Sequence, residues 1–212
     1  MAQGRRGIIW AVVVGCSVGT TEACGQARSA PPAPSFAQTV VLAPTSGKVS
    51  IRMPGASGGF VRLTSPRPVP VGTAVDATAG TVRLTSANPN GSTQTGRFFR
   101  GIFRIEQSRT SRGLVNLVIR DNLNGSVCGT SAARSAAVNP KVLGLLRGTA
   151  KGRFRTTGRF AAATVRGTDW GVQNRCDGTL TVVRRGVVVV LDFRLHRTVV
   201  VRAGQTYLAK AR

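Results

Sequence analysis

Thr81-Val82-Arg83-Leu84-Thr85-Ser86 is the stretch that decides the fold class. Its large apolar residues fall at every second position, the period of a strand with one buried face, and threonine and valine are β-branched. Nearly the same pattern stands 21 residues earlier as Phe60-Val61-Arg62-Leu63-Thr64-Ser65. Two copies are too few for a solenoid, which needs at least about three, so they read as two similar strands of one sheet. Working outward, the alternation continues through residues 49–53, 98–105, 114–119, 154–165, 180–183, 187–191, 199–201 and 206–208, with glycine and proline between the runs. Gly-Arg-Phe opens such a run at Gly96, Gly152 and Gly158, where glycine supplies the turn and phenylalanine enters the core. Residues 132–146 alone could form a short helix, interrupted by Pro140. The expectation is an all-β protein with many short strands and little helix.

Composition supports a folded chain with few chemical tools. Of 212 residues, 42% are hydrophobic, enough for a core, while one histidine, four cysteines and seven carboxylates leave little for acid–base catalysis or a metal site. His196 sits in Arg194-Leu195-His196-Arg197, a polar junction between valine-rich runs, and reads as a surface turn residue. Asp169, Asp177 and Asp192 are scattered, which suits turn capping or ion pairs with arginine. The sequence contains no phosphate-binding loop, nucleophile elbow or HExxH pair, so the chain reads as non-enzymatic, with no cofactor and no metal.

The N-terminus reads as an export signal. Arg5 and Arg6 precede an apolar run from residue 7 to residue 15, about half the length a membrane-spanning helix needs. Two processing routes stay open. Val13-Val14-Gly15-Cys16 resembles a bacterial lipobox, making Cys16 the lipidation candidate after loss of residues 1–15. A cut after Ala27 would instead release a soluble protein. Residues 28–40, rich in proline, alanine and serine, read as a linker, and residues 41–212 as the β domain. Either route leaves an extracytoplasmic chain, secreted or lipid-anchored to the outer face of the membrane, with no transmembrane span once processed. Cys128 and Cys176 are then the only cysteines in the folded body, both in turn-forming contexts, and they read as a disulfide.

The net charge of +23 calls for a partner. Removing residues 1–27 takes away Arg5, Arg6 and Glu22, which leaves +22. Alternation turns Arg62, Arg83 and Arg202 away from their apolar neighbours and onto a solvated face, where guanidinium groups can grip anions. Outside the cytoplasm the available polyanions are anionic phospholipid, phosphate-bearing wall polymer and acidic polysaccharide. Nucleic acid is the intracellular alternative. Arg97-Phe98-Phe99-Arg100-Gly101-Ile102-Phe103-Arg104 interleaves arginine and phenylalanine as RNA-binding sheets do, but Ile102 stands where an aromatic belongs, and the phenylalanines read as core.

The C-terminal third contains a recognisable series: Ala163-Thr164-Val165-Arg166-Gly167-Thr168, Trp170, Val172, Asp177-Gly178-Thr179, Arg185-Gly186-Val187-Val188-Val189, and Val199-Val200-Val201-Arg202-Ala203-Gly204-Gln205. It resembles the FecR domain, whose pattern runs from an AxVRGTxF strand through glycine-spaced valine strands to a closing VxLxAGQ. Gly47-Lys48-Val49 and Val71-Gly72-Thr73-Ala74-Val75 are similar to the opening strand and turn of that family. Trp170 stands where the family usually has phenylalanine, and the cysteine pair is additional to its pattern. The resemblance implies an all-β extracytoplasmic domain with rolled or solenoid-like sheets, used for sensing or interaction. It also implies a second reading, a ligand-sensing module acting on a separate protein partner at the membrane. Val165, Arg166, Gly167, Thr168, Trp170, Gly178, Thr179, Gly186, Ala203 and Gly204, which carry the motif, read as fold determinants.

Overall fold

The computed structural model describes residues 33–121, 128 and 141–211. The described residues form one 13-stranded sheet, and the helical element among them is a short 3-10 turn at Arg109–Ser111. Residues 1–27, read as an export signal, and the lipidation candidate Cys16 lie outside the described residues. So does most of the 28–40 linker, and residues 35–38 already form a turn that leads into the first strand. The strands are β1 (Thr39–Arg52), β2 (Val61–Arg62), β3 (Arg67–Pro70), β4 (Ala74–Ala87), β5 (Thr93–Phe99), β6 (Ile102–Glu106) and β7 (Val115–Arg120). Then come β8 (Val142–Thr157), β9 (Ala161–Arg175), β10 (Gly178–Arg185), β11 (Val187–Asp192), β12 (Arg197–Arg202) and β13 (Thr206–Lys210). The stretch from Pro31 to Arg212 is a compact unit by itself, and it holds every strand and the disulfide.

The all-β expectation holds, but the strands are not uniformly short. β1, β4, β8 and β9 run for 14 to 16 residues because bulges carry pairing past points where the alternation loses phase. In the β1–β4 pair the register shifts on either side of Gly47, which has φ +67° and lies so close to β4 that a Cβ would meet the Ala79 carbonyl at 2.2 Å. In the β8–β9 pair the bulge falls between Ala150 and Arg153, at Gly152 and Gly167, both with positive φ. Residues 98–105, read as one strand, are two, broken at Arg100 with φ +65°. Residues 154–165 likewise divide between β8 and β9. Of the stretch read as a possible helix, Val142 to Leu146 belong to β8, and residues 132–140 lie outside the described residues. The two copies of the repeated hexapeptide flank β1, since β2 pairs with one of its sides and β4 with the other.

Five strands close on themselves: β4 pairs β5, β5 pairs β8, β8 pairs β7, β7 pairs β6, and β6 returns to β4. Closure removes the exposed edges that an open sheet would leave in this region. Only β7–β8 is parallel, an arrangement that needs a crossover of a dozen or more residues, which residues 121–141 supply. Phe98, Phe103, Phe154 and Trp170 are buried together, with Phe98 5.9, 5.5 and 6.1 Å from the other three ring centres. Trp170 Nε1 donates to Thr156 Oγ1 at 3.1 Å, so the indole is buried without an orphaned donor.

The FecR-like residues occupy turns and contacts within this frame. Thr168 is buried under Gly186, where a Cβ would meet its methyl at 2.7 Å. At Gly178 a Cβ would meet the Ala209 carbonyl of β13 at 2.2 Å, so glycine lets that strand pair closely. Thr179 Oγ1 accepts the Phe160 N–H and donates to Asn174 Oδ1. Val165 is in the core, Arg166 is exposed, and Ala203 and Gly204 form the turn between β12 and β13. Cys128 and Cys176 are joined by a disulfide, which ties the β7–β8 crossover to the end of β9. Among the described residues, no helix is long and apolar enough to cross a membrane.

Candidate anion-binding face

Strand registers assemble a basic surface that no single segment of sequence contains. Arg83 of β4 lies opposite Arg97 of β5, Arg97 opposite Thr149 of β8, Thr149 opposite Asp169 of β9, and Asp169 opposite Arg185 of β10. Leu84, Phe98, Gly148 and Trp170, their neighbours along the chain, face the interior, so this row faces outward. The adjacent row runs Thr81, Phe99, Arg147. The Arg147 guanidinium lies 6.0 Å from the centre of the Phe99 ring, a cation–π contact on the outer surface. Lys151, opposite Thr95, adds a further cation two residues beyond Thr149.

Like charges directly opposite each other destabilise a sheet, by roughly 0.2–1 kcal/mol per pair. The Arg83–Arg97 pair carries this cost with no ion-pair partner among the described residues. The ion pairs there are Arg104–Glu106, Arg159–Asp121 and Arg175–Asp177, all elsewhere. Asp169 is the single carboxylate set among Arg83, Arg97, Arg147, Lys151 and Arg185. Such a face has a surplus of guanidinium donors and would be relieved by a bound anion.

Lys151 also borders an open groove of about 600 Å3 between the turn after β4, the 3-10 turn and the β8 bulge. Its cations are Lys151, Arg112 and Arg153, its amides are Asn88, Asn90 and Gln94, and no carboxylate lines it. One buried side chain holds the three walls together: Gln94 donates through Nε2 to the Gly113 carbonyl and accepts the Arg153 N–H at 2.7 Å. The Arg153 guanidinium donates to the Arg112 carbonyl, which fixes one side of the guanidinium and leaves its other donors at the groove.

Arg62, Arg83 and Arg202 are all exposed, yet they do not share a site. Arg62 on β2 and Arg202 on β12 lie at opposite ends of the strand path, and only Arg83 belongs to the face described above. The assignment of the phenylalanines to the core is correct for Phe98 and Phe103 but not for Phe99, because consecutive strand residues point to opposite faces. Arg97, Arg147, Lys151, Arg185 and the groove were not singled out by sequence. The Arg97-Phe98-Phe99-Arg100 run was the one local signal for them.

His196 is an exposed turn residue with φ +48°. Asp177 pairs with Arg175 at 2.6 Å. Asp192 caps a turn, its Oδ1 accepting the Arg194 and Leu195 N–H groups at 3.0 and 2.9 Å and its Oδ2 the Tyr207 hydroxyl at 2.8 Å. Burial alone would raise this carboxyl, but the Leu195, Tyr207 and Arg194 donors and the nearby Arg197 charge outweigh it and hold the pKa below its ordinary value. No family model, curated protein or solved structure matches this chain.

Proposed function

We propose that the chain is an exported, non-enzymatic, FecR-like interaction domain that holds an anionic polymer of the cell envelope on the outer face of β4, β5 and β8. The carrying observation is the pair of adjacent outward rows that bring Arg83, Arg97 and Arg147 around Phe99, short of carboxylates and continuous through Lys151 with a groove lined by three cations. Guanidinium groups grip phosphate and carboxylate oxygens in pairs, and a charge of +22 on the chain from residue 28 onward draws polyanions from a distance. The export reading rests on Arg5, Arg6 and the short apolar run that follows, and the FecR reading on the VRGT series.

The test is titration of the chain from residue 28 onward with polyphosphate and, in a separate arm, with a carboxylate polysaccharide. About four charge contacts give a log–log salt slope near −3 to −4, a loss on the order of 10²-fold between about 50 and about 200 mM salt. Arg83→Glu, Arg97→Glu and Arg147→Glu together should abolish binding to the preferred polymer. Binding indifferent to both salt and charge reversal, or absent at low salt, overturns the proposal. Cell fractionation with an intact mass tests export, since a cytoplasmic protein retaining Met1 would refute it.

A further inference from the structure

The β11–β12 hairpin concentrates exposed apolar surface. Of the nine large apolar side chains prominently exposed among the described residues, six lie in it: Val187, Val189, Leu191, Phe193, Leu195 and Val200. Alternation accounts for the strand members, since Val188, Val190 and Val201 go into the core and leave Val187, Val189 and Leu191 on the opposite face. Val189 and Val200 are directly paired, Val200 is 52% exposed, and Arg202 and Thr198 flank it on the same face of β12. Phe193 and Leu195 project from the four-residue turn at the hairpin's end, alternating with Arg194 and His196.

A turn carrying two exposed apolar side chains would ordinarily be loose, but Asp192 anchors this one through two turn N–H groups and the Tyr207 hydroxyl. Along this part of the sequence the charged side chains are cationic, one buried carboxylate apart. From Gly178 to the C-terminus Asp192 is the only carboxylate, 2% exposed and satisfied by those donors. The cations at the turn are Arg194 and Arg197, and Arg202 stands at the hairpin's open end opposite Val187.

We propose that the β11–β12 hairpin docks this domain on an anionic lipid bilayer, with Phe193 and Leu195 entering the headgroup–acyl boundary and Arg194 and Arg197 contacting headgroup phosphates. An apolar tip that carries Arg194 and Arg197, and whose own carboxylate is buried and satisfied, is complementary to a surface that is negative outside and apolar within. Arginine suits the rim, because its stem lies along apolar surface while its head stays in water. A second copy of the chain would bring the same cations against one another, and so complements the strip poorly. The hairpin is a different element from the β4–β5–β8 face, so this inference and the polymer reading can fail separately.

The experiment is co-sedimentation of the oxidised chain from residue 28 onward with phosphatidylglycerol-containing vesicles and with phosphatidylcholine vesicles. Binding should require the anionic lipid. Phe193→Ser with Leu195→Ser should weaken it by about tenfold per side chain, on the order of 10²-fold together. Both residues are exposed, so these changes leave the core intact. Arg83→Glu with Arg97→Glu should leave vesicle binding within about threefold, which separates this surface from the polymer face. As a second measurement, Phe193→Trp should blue-shift in emission and be quenched by brominated lipid when anionic vesicles are added. Equal binding to both lipids, no loss in the serine variant, or an unquenched Phe193→Trp in the bound state overturns the proposal. So does a dimer that dissociates in the serine variant while vesicles are ignored.

Discussion

Gly96→Ala is a sharp test of how the barrel interior supports its outer face. A Cβ on Gly96 would meet Cζ and Cε2 of Phe98 at 2.6 and 2.7 Å and the Ala150 Cβ at 3.2 Å. The ring cannot swing aside, since it is fully buried among Phe103, Phe154 and Trp170. Overpacking of this kind costs about 1–3 kcal/mol, which for a domain of this size lowers the melting temperature by roughly 2–12 °C. Leucine lacks Cζ and Cε2, so Phe98→Leu removes the obstructing atoms. It also costs stability through the cavity it leaves. The added methyl should then partly fill that space, making the double variant at least about 1 kcal/mol more stable than the two single losses predict. Urea unfolding followed by the fluorescence of Trp170, which lies edge-on to Phe98, would measure all four proteins. Losses that add to within about 0.5 kcal/mol, or a Gly96→Ala cost below that figure, would refute the packing argument. Because β5 and β8 also carry Arg97, Phe99 and Arg147, Gly96→Ala should weaken polyanion binding as well, and Phe98→Leu should restore part of it.

Cys128→Ser or Cys176→Ser removes a cross-link spanning 48 residues, worth about 4 kcal/mol in the chain-entropy model. A melting temperature lower by roughly 5–15 °C is expected in calorimetry, and two free thiols in the native protein would contradict the pairing. Asp192→Asn should destabilise by about 1–3 kcal/mol, since an amide cannot replace both carboxylate oxygens as acceptors for Arg194, Leu195 and Tyr207. The folded pKa of Asp192 is depressed, so its contribution is present above the unfolded value of about 3.9 and is lost as pH falls through the lower folded value. The stability difference between parent and Asp192→Asn should therefore shrink in acid, as read by urea midpoints across that range, and a constant difference would refute the assignment.

Local periodicity was legible and long-range register was not. Residues 81–85 announce a strand because one buried face imposes period two, yet nothing nearby signals that β4 continues to both sides of them. That extension depends on Gly47 of β1 letting two backbones approach, a property of the pair rather than of either segment. The break at Arg100 was hidden for a related reason. At Gly101 a Cβ would stand 1.7 Å from the Leu145 carbonyl, so a partner remote in sequence fixes the turn. The cysteine pair could be read by elimination, because few sulfurs remain in the body. Arg83 could be recognised as outward-facing, but its neighbours Arg97 and Arg147 are set by pairings between β4, β5 and β8. Arg62 and Arg202 share its local pattern and not its location, which explains why alternation alone grouped them.

The parallel β7–β8 pair has a kinetic consequence. Strands joined by hairpins can zip together as they emerge, whereas β8 meets β5 and β7 only after residues 121–141 have looped back, so the ring closes late. Proteins dominated by such non-local pairings fold in roughly milliseconds to seconds, far slower than helical bundles. Until then the interior of the ring stays open, and Phe98 and Phe103, fully buried in the finished barrel, remain accessible to water.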